Sequence, residues 1–262
     1  MGGLTSGFLA ADAVLITLQA AVVAMPGRGV PAPLARLGGR GWALTLPVPI
    51  AAVVAGIALV PDVDDVLTWL ALIAVPPLAA LALGWAARFA RPPLALLALP
   101  LFALAWAANG TLAGDAAGTL LTALSCVTLG RLLAGVVPSA WLKAGIVAMA
   151  TVDAILVFGN ELQGPNATLI AAAPVAALPR LQYLPFGSAS LGYGDAFVAA
   201  VLGGILAVEG ERQLPIARLT LVLAAAWDVL FLAFDTLPAT VPVAAAVVLR
   251  EAARQRPRRV LS

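Results

Sequence analysis

Mostly apolar runs recur along the whole chain, separated by short breaks that carry most of the charged residues. A hydrocarbon core of about 30 Å takes roughly 20 apolar residues per helix. The pattern therefore predicts about nine transmembrane helices, at 7–25, 42–60, 66–85, 93–108, 116–137, 141–159, 188–208, 214–234 and 236–249, and an all-α polytopic membrane fold in one domain over 1–262. The longest break, 160–187, contains ATLIAAAPVAAL at 167–178, an apolar piece too short to cross and predicted to be interfacial or re-entrant. The N-terminal MGGLTSG lacks the basic stretch of a cleavable leader and runs into the first predicted span.

Loop charges orient the bundle. Arg28, Arg36 and Arg40 follow the first span, Arg88 and Arg91 the third, Lys143 the fifth, and Arg250, Arg254, Arg256, Arg258 and Arg259 crowd the end. The alternate loops hold Asp62, Asp64, Asp65, Asp115 and Asp235, with Arg180 as an exception. The positive-inside rule then predicts a multi-pass cell-membrane protein with its N-terminus outside and its C-terminus cytoplasmic, ending in a basic tail at 251–262 that anchors to the bilayer rather than to nucleic acid.

Composition narrows the chemistry. The 262 residues are 62% hydrophobic and 11% charged, and include no His. Zinc sites of the HExxH type, Ser-His dyads and His-ligated haem are thereby excluded. The single Cys126 reads as a buried inert thiol, and the one lysine, Lys143, stands at a span boundary where a mid-membrane Schiff base would not sit. Arg outnumbering Lys fourteen to one, with abundant Ala, reads as a GC-rich prokaryotic genome. No cofactor or metal is expected, and acids remain as the catalytic groups.

Four acids fall inside predicted spans. A carboxylate at the bilayer centre costs about 3 kcal/mol or more, so each is a functional candidate. Asp153, in ATVDAILVFG, lies six residues before the outer end of span six, and Asp195, in SLGYGDAF, lies seven residues into span seven; both fall on the order of 10 Å below the outer boundary. Asp228 and Asp12 are predicted in the same outer layer, and Asp228 is a competing partner for Asp195. Gly192, Tyr193 and Gly194 precede Asp195; the glycines suit close approach of a backbone or substrate, or plain helix packing like Ala199, Gly203 and Gly204 on the same span. Pro238, Ala239, Thr240 and Pro242 open the last span, where closely spaced prolines give an extended entry or an ordinary helix start.

In order and spacing these elements resemble the presenilin and signal peptide peptidase family of intramembrane aspartyl proteases, whose first Asp lies in span six, whose second lies in a GxGD motif in span seven, and whose PAL motif opens span nine. The resemblance implies a prokaryotic member with catalytic Asp153 and Asp195, substrate contacts from Gly192, Tyr193, Gly194, Pro238, Ala239 and Thr240, an N-terminal bundle at 1–137 and catalytic helices at 141–250. It implies hydrolysis of peptide bonds within transmembrane segments, with remnant signal peptides or type II membrane proteins as the substrate class, and no obligate partner subunit. Val152 stands where the family has Tyr, and Thr240 where it has Leu. Two other readings remain open: a prepilin-type GxGD leader peptidase, and a proton or cation transporter using the four acids.

Overall fold

Helical segments fall in the apolar runs of a computed structural model, which describes residues 6–36, 38–59, 63–159, 161, 164, 167–168, 171–172, 174 and 177–255. They are α1 (Ser6–Val23), a short α2 (Ala32–Ala35), α3 (Pro47–Leu59), α4 (Val63–Leu81), α5 (Ala98–Ala107), α6 (Leu112–Val136), α7 (Ser139–Phe158), α8 (Tyr193–Val208), α9 (Gln213–Trp227) and α10 (Thr240–Gln255). A π turn lengthens α4 to Ala86 and a 3-10 turn lengthens α9 to Leu232. Five helices among the described residues are long and apolar enough to cross a membrane: α1, α4 with its π turn, α6, α7 and α9 with its 3-10 turn. Large apolar side chains face outward, including Ile73, Leu99 and Leu232 at 71%, 69% and 76% exposure, as a surface solvated by lipid requires.

Four predicted spans differ in detail; one of them, 93–108, is a 3-10 turn (Pro92–Leu97) followed by the ten-residue α5. Run 42–60 yields a 3-10 turn (Arg40–Thr45) and the 13-residue α3, only about 20 Å long at 1.5 Å per residue. Run 188–208 opens not as helix but as a strand. β1 (Tyr183–Phe186) and β2 (Ala189–Gly192) form an antiparallel hairpin in which Tyr183 faces Gly192 and Phe186 faces Ala189. Its turn uses Gly187 at φ 57°, a left-handed conformation that a side chain would oppose. The last run becomes α10, whose closing turns carry charge. Much of the apolar piece 167–178, together with Asp62, Arg256, Arg258 and Arg259, lies outside the described residues.

The core is built on α6 and α8. Residues 198–207 of α8 are buried on every side, the mark of a helix enclosed by others. Close approach makes this possible. A Cβ at Gly203 would lie 2.3 Å from the Val23 carbonyl oxygen of α1, and one at Gly204 would lie 2.7 Å from Ala134 Cβ and from the Gly130 carbonyl oxygen of α6. The hairpin docks on α6 as well: Thr119 Oγ1 donates to the Pro185 carbonyl at 2.5 Å, and Asp115 Oδ2 accepts from the Gly187 N–H at 3.0 Å. Cys126 is fully buried and unpaired, as its apolar run predicts.

At the far end of α8 the cations predicted as a lipid anchor are partly spoken for. Lys143 Nζ lies 2.7 Å from Glu209 Oε1 and 2.9 Å from Glu251 Oε1. Buried Arg250 bonds Glu209, Glu211 and Glu251, and Arg254 reaches Glu209 and Glu211 at 3.1 Å each. This network ties α7, α8 and α10 together. Partial burial alone would raise the Glu209 carboxyl, but the hydrogen bonds and charges of Arg250 and Lys143 outweigh it and hold the group below its ordinary value. A depressed carboxyl contributes stability that is present above the unfolded value, 4.5, and lost as pH falls through the folded one. Glu209→Gln is accordingly expected to lower the melting temperature in detergent at pH 7, with the gap to wild type closing below about pH 4.5. An equal gap at pH 7 and pH 3.5 would contradict it.

Candidate functional site

Spacing on α7 decides where the first acid points. Leu142, Ile146, Met149 and Ala150 form its buried stripe, and Asp153 is the next position along it, 6% exposed. A carboxylate there needs partners. Thr240, the first residue of α10 and itself 1% exposed, donates its hydroxyl to Asp153 Oδ2 at 2.6 Å, and its main chain also reaches that carboxyl. A charge-assisted hydrogen bond of this length is among the stronger single contacts a buried acid makes.

Asp195 is held differently. It lies in the first turn of α8 rather than seven residues into a span, because the strand β2 consumes the preceding residues. Its Oδ2 accepts the Gly192 N–H at 3.0 Å, closing the turn between strand and helix, where the helix dipole also favours an acid. The glycines of the GYGD string have separate physical duties. A Cβ on Gly192 would meet Asp195 Oδ2 at 2.7 Å, and one on Gly194 would meet Met149 Cε of α7 at 2.9 Å. Tyr193 is directed at α6, its hydroxyl 2.9 Å from Ser125 Oγ, so that its ring fixes the start of α8 against the core.

Asp153 is the acid that acts electrostatically on Asp195. Asp228 is placed beside Asp12 of α1, a second acid pair. Phe8 and Phe231 pack edge to face, joining the same two helices with ring centroids 5.4 Å apart.

One site residue was not singled out by the sequence pattern. Gln19, 1% exposed in α1, donates Nε2 to the Ala239 carbonyl at 2.9 Å and to the Asp195 carbonyl at 3.3 Å, while its Oε1 is buried without a protein partner. It thus ties the Pro238-Ala239-Thr240 segment to the start of α8. Pro238 is buried, and Val241 N–H closes back on its carbonyl at 3.3 Å. Its only mark in the sequence is a neutral amide in an otherwise apolar helix face, which names no partner.

The site therefore draws on α1, α7, α8 and the entry to α10. Its functional groups are two carboxyls, a threonine hydroxyl, a glutamine amide and main-chain groups; among the described residues no three His, Cys, Asp or Glu side chains converge as a metal cage would. Two carboxyls in contact in an apolar surrounding are able to share a proton, so that one accepts while the other donates. A cavity of about 310 Å³ beside β1, lined by Asn109, Asp115, Arg180 and Tyr183 among others, does not include either acid. No protein-family model, curated protein or solved structure matches the chain.

Proposed function

We propose that the chain is an intramembrane aspartyl endopeptidase in which Asp153 and Asp195 form the catalytic pair. The observation that carries this reading is the hydrogen bond from Thr240 to Asp153 beside Asp195, because it joins three segments that are far apart in sequence and that the family resemblance had singled out. In this reading the bundle spans the membrane nine times in the presenilin and signal peptide peptidase manner, N-terminus outside and C-terminus cytoplasmic.

The chemistry follows from the pair. One carboxylate takes a proton from a water as that water attacks the peptide carbonyl, while the protonated partner hydrogen-bonds the carbonyl oxygen and stabilises the developing charge. The proton then passes to the leaving amine as the C–N bond breaks. A helical substrate hides its carbonyls, so the cleaved segment must unwind. In the two-stranded sheet β2 pairs with β1 on one side, and its other edge offers an extended substrate backbone a place to add as a strand directly before Asp195. Gln19 and Thr240 hold the opposite wall, and the Pro238-Ala239-Thr240 segment flanks the substrate.

The test is cleavage of a helix-destabilised, type II-oriented transmembrane peptide by purified protein in detergent, read by mass spectrometry. Product with defined termini supports the reading, and its absence across a varied panel rejects it. The Asp12–Asp228 pair favours a second reading, a proton or cation transporter with carboxyls in the outer layer. Ion-dependent flux into proteoliposomes without cleavage would select it.

Gln19 gives a finer check. Gln19→Leu removes the donor from the Asp195 and Ala239 carbonyls at similar volume. Turnover is expected to fall about tenfold, the equivalent of one hydrogen bond of about 1.4 kcal/mol. An unchanged kcat would remove Gln19 from the site.

A further inference from the structure

Four arginines collect at the end of the bundle opposite the acids without a single acidic partner of their own. Arg28 follows α1, Arg88 follows the π turn of α4, Arg212 precedes α9, and Arg218 lies one and a half turns into it; all four are exposed and line a cavity of about 560 Å³. Among the described residues none of the four enters an ion pair, whereas neighbouring Lys143, Arg250 and Arg254 all do. The one acid in the lining, Glu211, is already bonded to Arg250 and Arg254. The cavity is thus a concentration of uncompensated positive charge, reinforced by the N-terminal end of the 15-residue α9.

The walls are fixed. The chain leaving α1 is sewn to the chain leaving α4 by Gly27 N–H to the Ala86 carbonyl and Arg88 N–H to the Met25 carbonyl, each 2.8 Å. Buried Gln213 donates to the Pro26 carbonyl at 2.8 Å and to the Gly203 carbonyl at 2.9 Å, locking the start of α9 to α1 and α8. Behind this wall the buried Arg131 guanidinium of α6 bonds the carbonyls of Arg28, Gly29 and Trp85, and stacks on the Trp85 ring at 4.0 Å. Side chains that reach into a cavity from a backbone pinned in this way are preorganised for a ligand.

We infer that this cavity binds the phosphate of an anionic phospholipid headgroup. Guanidinium groups pair with phosphate oxygens bidentately, and phosphate is the anion whose charge and size match several converging forks. The lipid source is favoured over free phosphate by position. The cavity opens where α1, α4 and α9, three of the five membrane-crossing candidates, end together, and exposed, apolar Leu214 is part of its lining. The inference requires these helices to span a bilayer and stands whether or not the chain cleaves peptides.

Native mass spectrometry of the purified protein, titrated with phosphatidylglycerol or phosphatidylcholine, tests it. Wild type is expected to retain one phosphatidylglycerol at least about tenfold more tightly than phosphatidylcholine, since each guanidinium near a headgroup contributes about fivefold. Arg28→Gln, Arg88→Gln, Arg212→Gln and Arg218→Gln combined should abolish the preference, and Arg212→Gln with Arg218→Gln, both on exposed helix surface, should halve its logarithm if the fourfold variant does not fold. Arg36→Gln with Arg40→Gln removes two exposed cations that do not line the cavity and should leave the preference intact. No preference in wild type, or equal loss in the Arg36/Arg40 variant, would overturn the inference. Complete displacement of phosphatidylglycerol by millimolar inorganic phosphate would assign the site to a soluble anion instead.

Discussion

Asp153→Asn and Asp195→Asn are each expected to abolish cleavage, by roughly 10³-fold or more, with the fold intact. An amide cannot take the proton from water nor share one with its neighbour, so either change removes both roles of the pair. The substitution is otherwise gentle. Thr240 can still donate its hydroxyl to the amide oxygen at position 153, and the Gly192 N–H can still close on the amide oxygen at position 195. Loss of product at unchanged melting temperature therefore reports on chemistry. The double variant should be no worse than either single one, because the two groups act as a unit. A variant that retains cleavage within tenfold of wild type would dismantle the proposal, whichever acid it concerns.

The largest stability effect should come from the glycines of the central helix. Gly204→Leu places a Cβ where Ala134 Cβ and the Gly130 carbonyl oxygen are 2.7 Å away, and Gly203→Leu one where the Val23 carbonyl oxygen is 2.3 Å away. These obstacles are helix backbone and the first carbon of a side chain, neither of which can swing aside, so α1 or α6 must separate from α8. Overpacking of this kind costs about 3 kcal/mol. Activity should fall with it, since α1 carries Gln19. Gly41→Ala is the matched control, because a Cβ there meets nothing within 4 Å. Thermal or SDS unfolding of the purified variants would measure the difference, and a Gly204→Leu protein as stable as wild type would mean that α6 and α8 are not in contact through this stripe.

Hydropathy carried much of the fold because in a membrane the length of an apolar run and the helix that satisfies its backbone are nearly the same fact. It failed where length was right but backbone pairing differed. SASLGYG reads as the beginning of a span, yet Pro185 and Gly187 upstream were turn signals, and Ala189–Gly192 pair with Tyr183–Phe186 across a hairpin instead of coiling. The buried face of α7 was legible in the spacing of Leu142, Ile146, Met149 and Asp153. Gln19 was not, because attention to charge passes over a neutral amide whose partners, Asp195 and Ala239, are fixed only by the three-dimensional fold. Loop charge marks a side of the membrane but cannot say which cations are neutralised: among the described residues Arg250 and Arg254 are bound to glutamates, while Arg28, Arg88, Arg212 and Arg218 enter no ion pair.

Gln19 also sets the order in which the molecule comes into being. Its amide bonds to Ala239, 220 positions later in the chain. At a synthesis rate of roughly 5 to 20 residues per second, α1 waits about 10 to 40 seconds before that carbonyl exists. Until then the Gln19 amide lacks the shorter of its two hydrogen bonds, and the carboxyl of Asp153 has no threonine to meet. If the proposed pair is the catalytic one, a nascent chain stays inert until α10 arrives to close on α1.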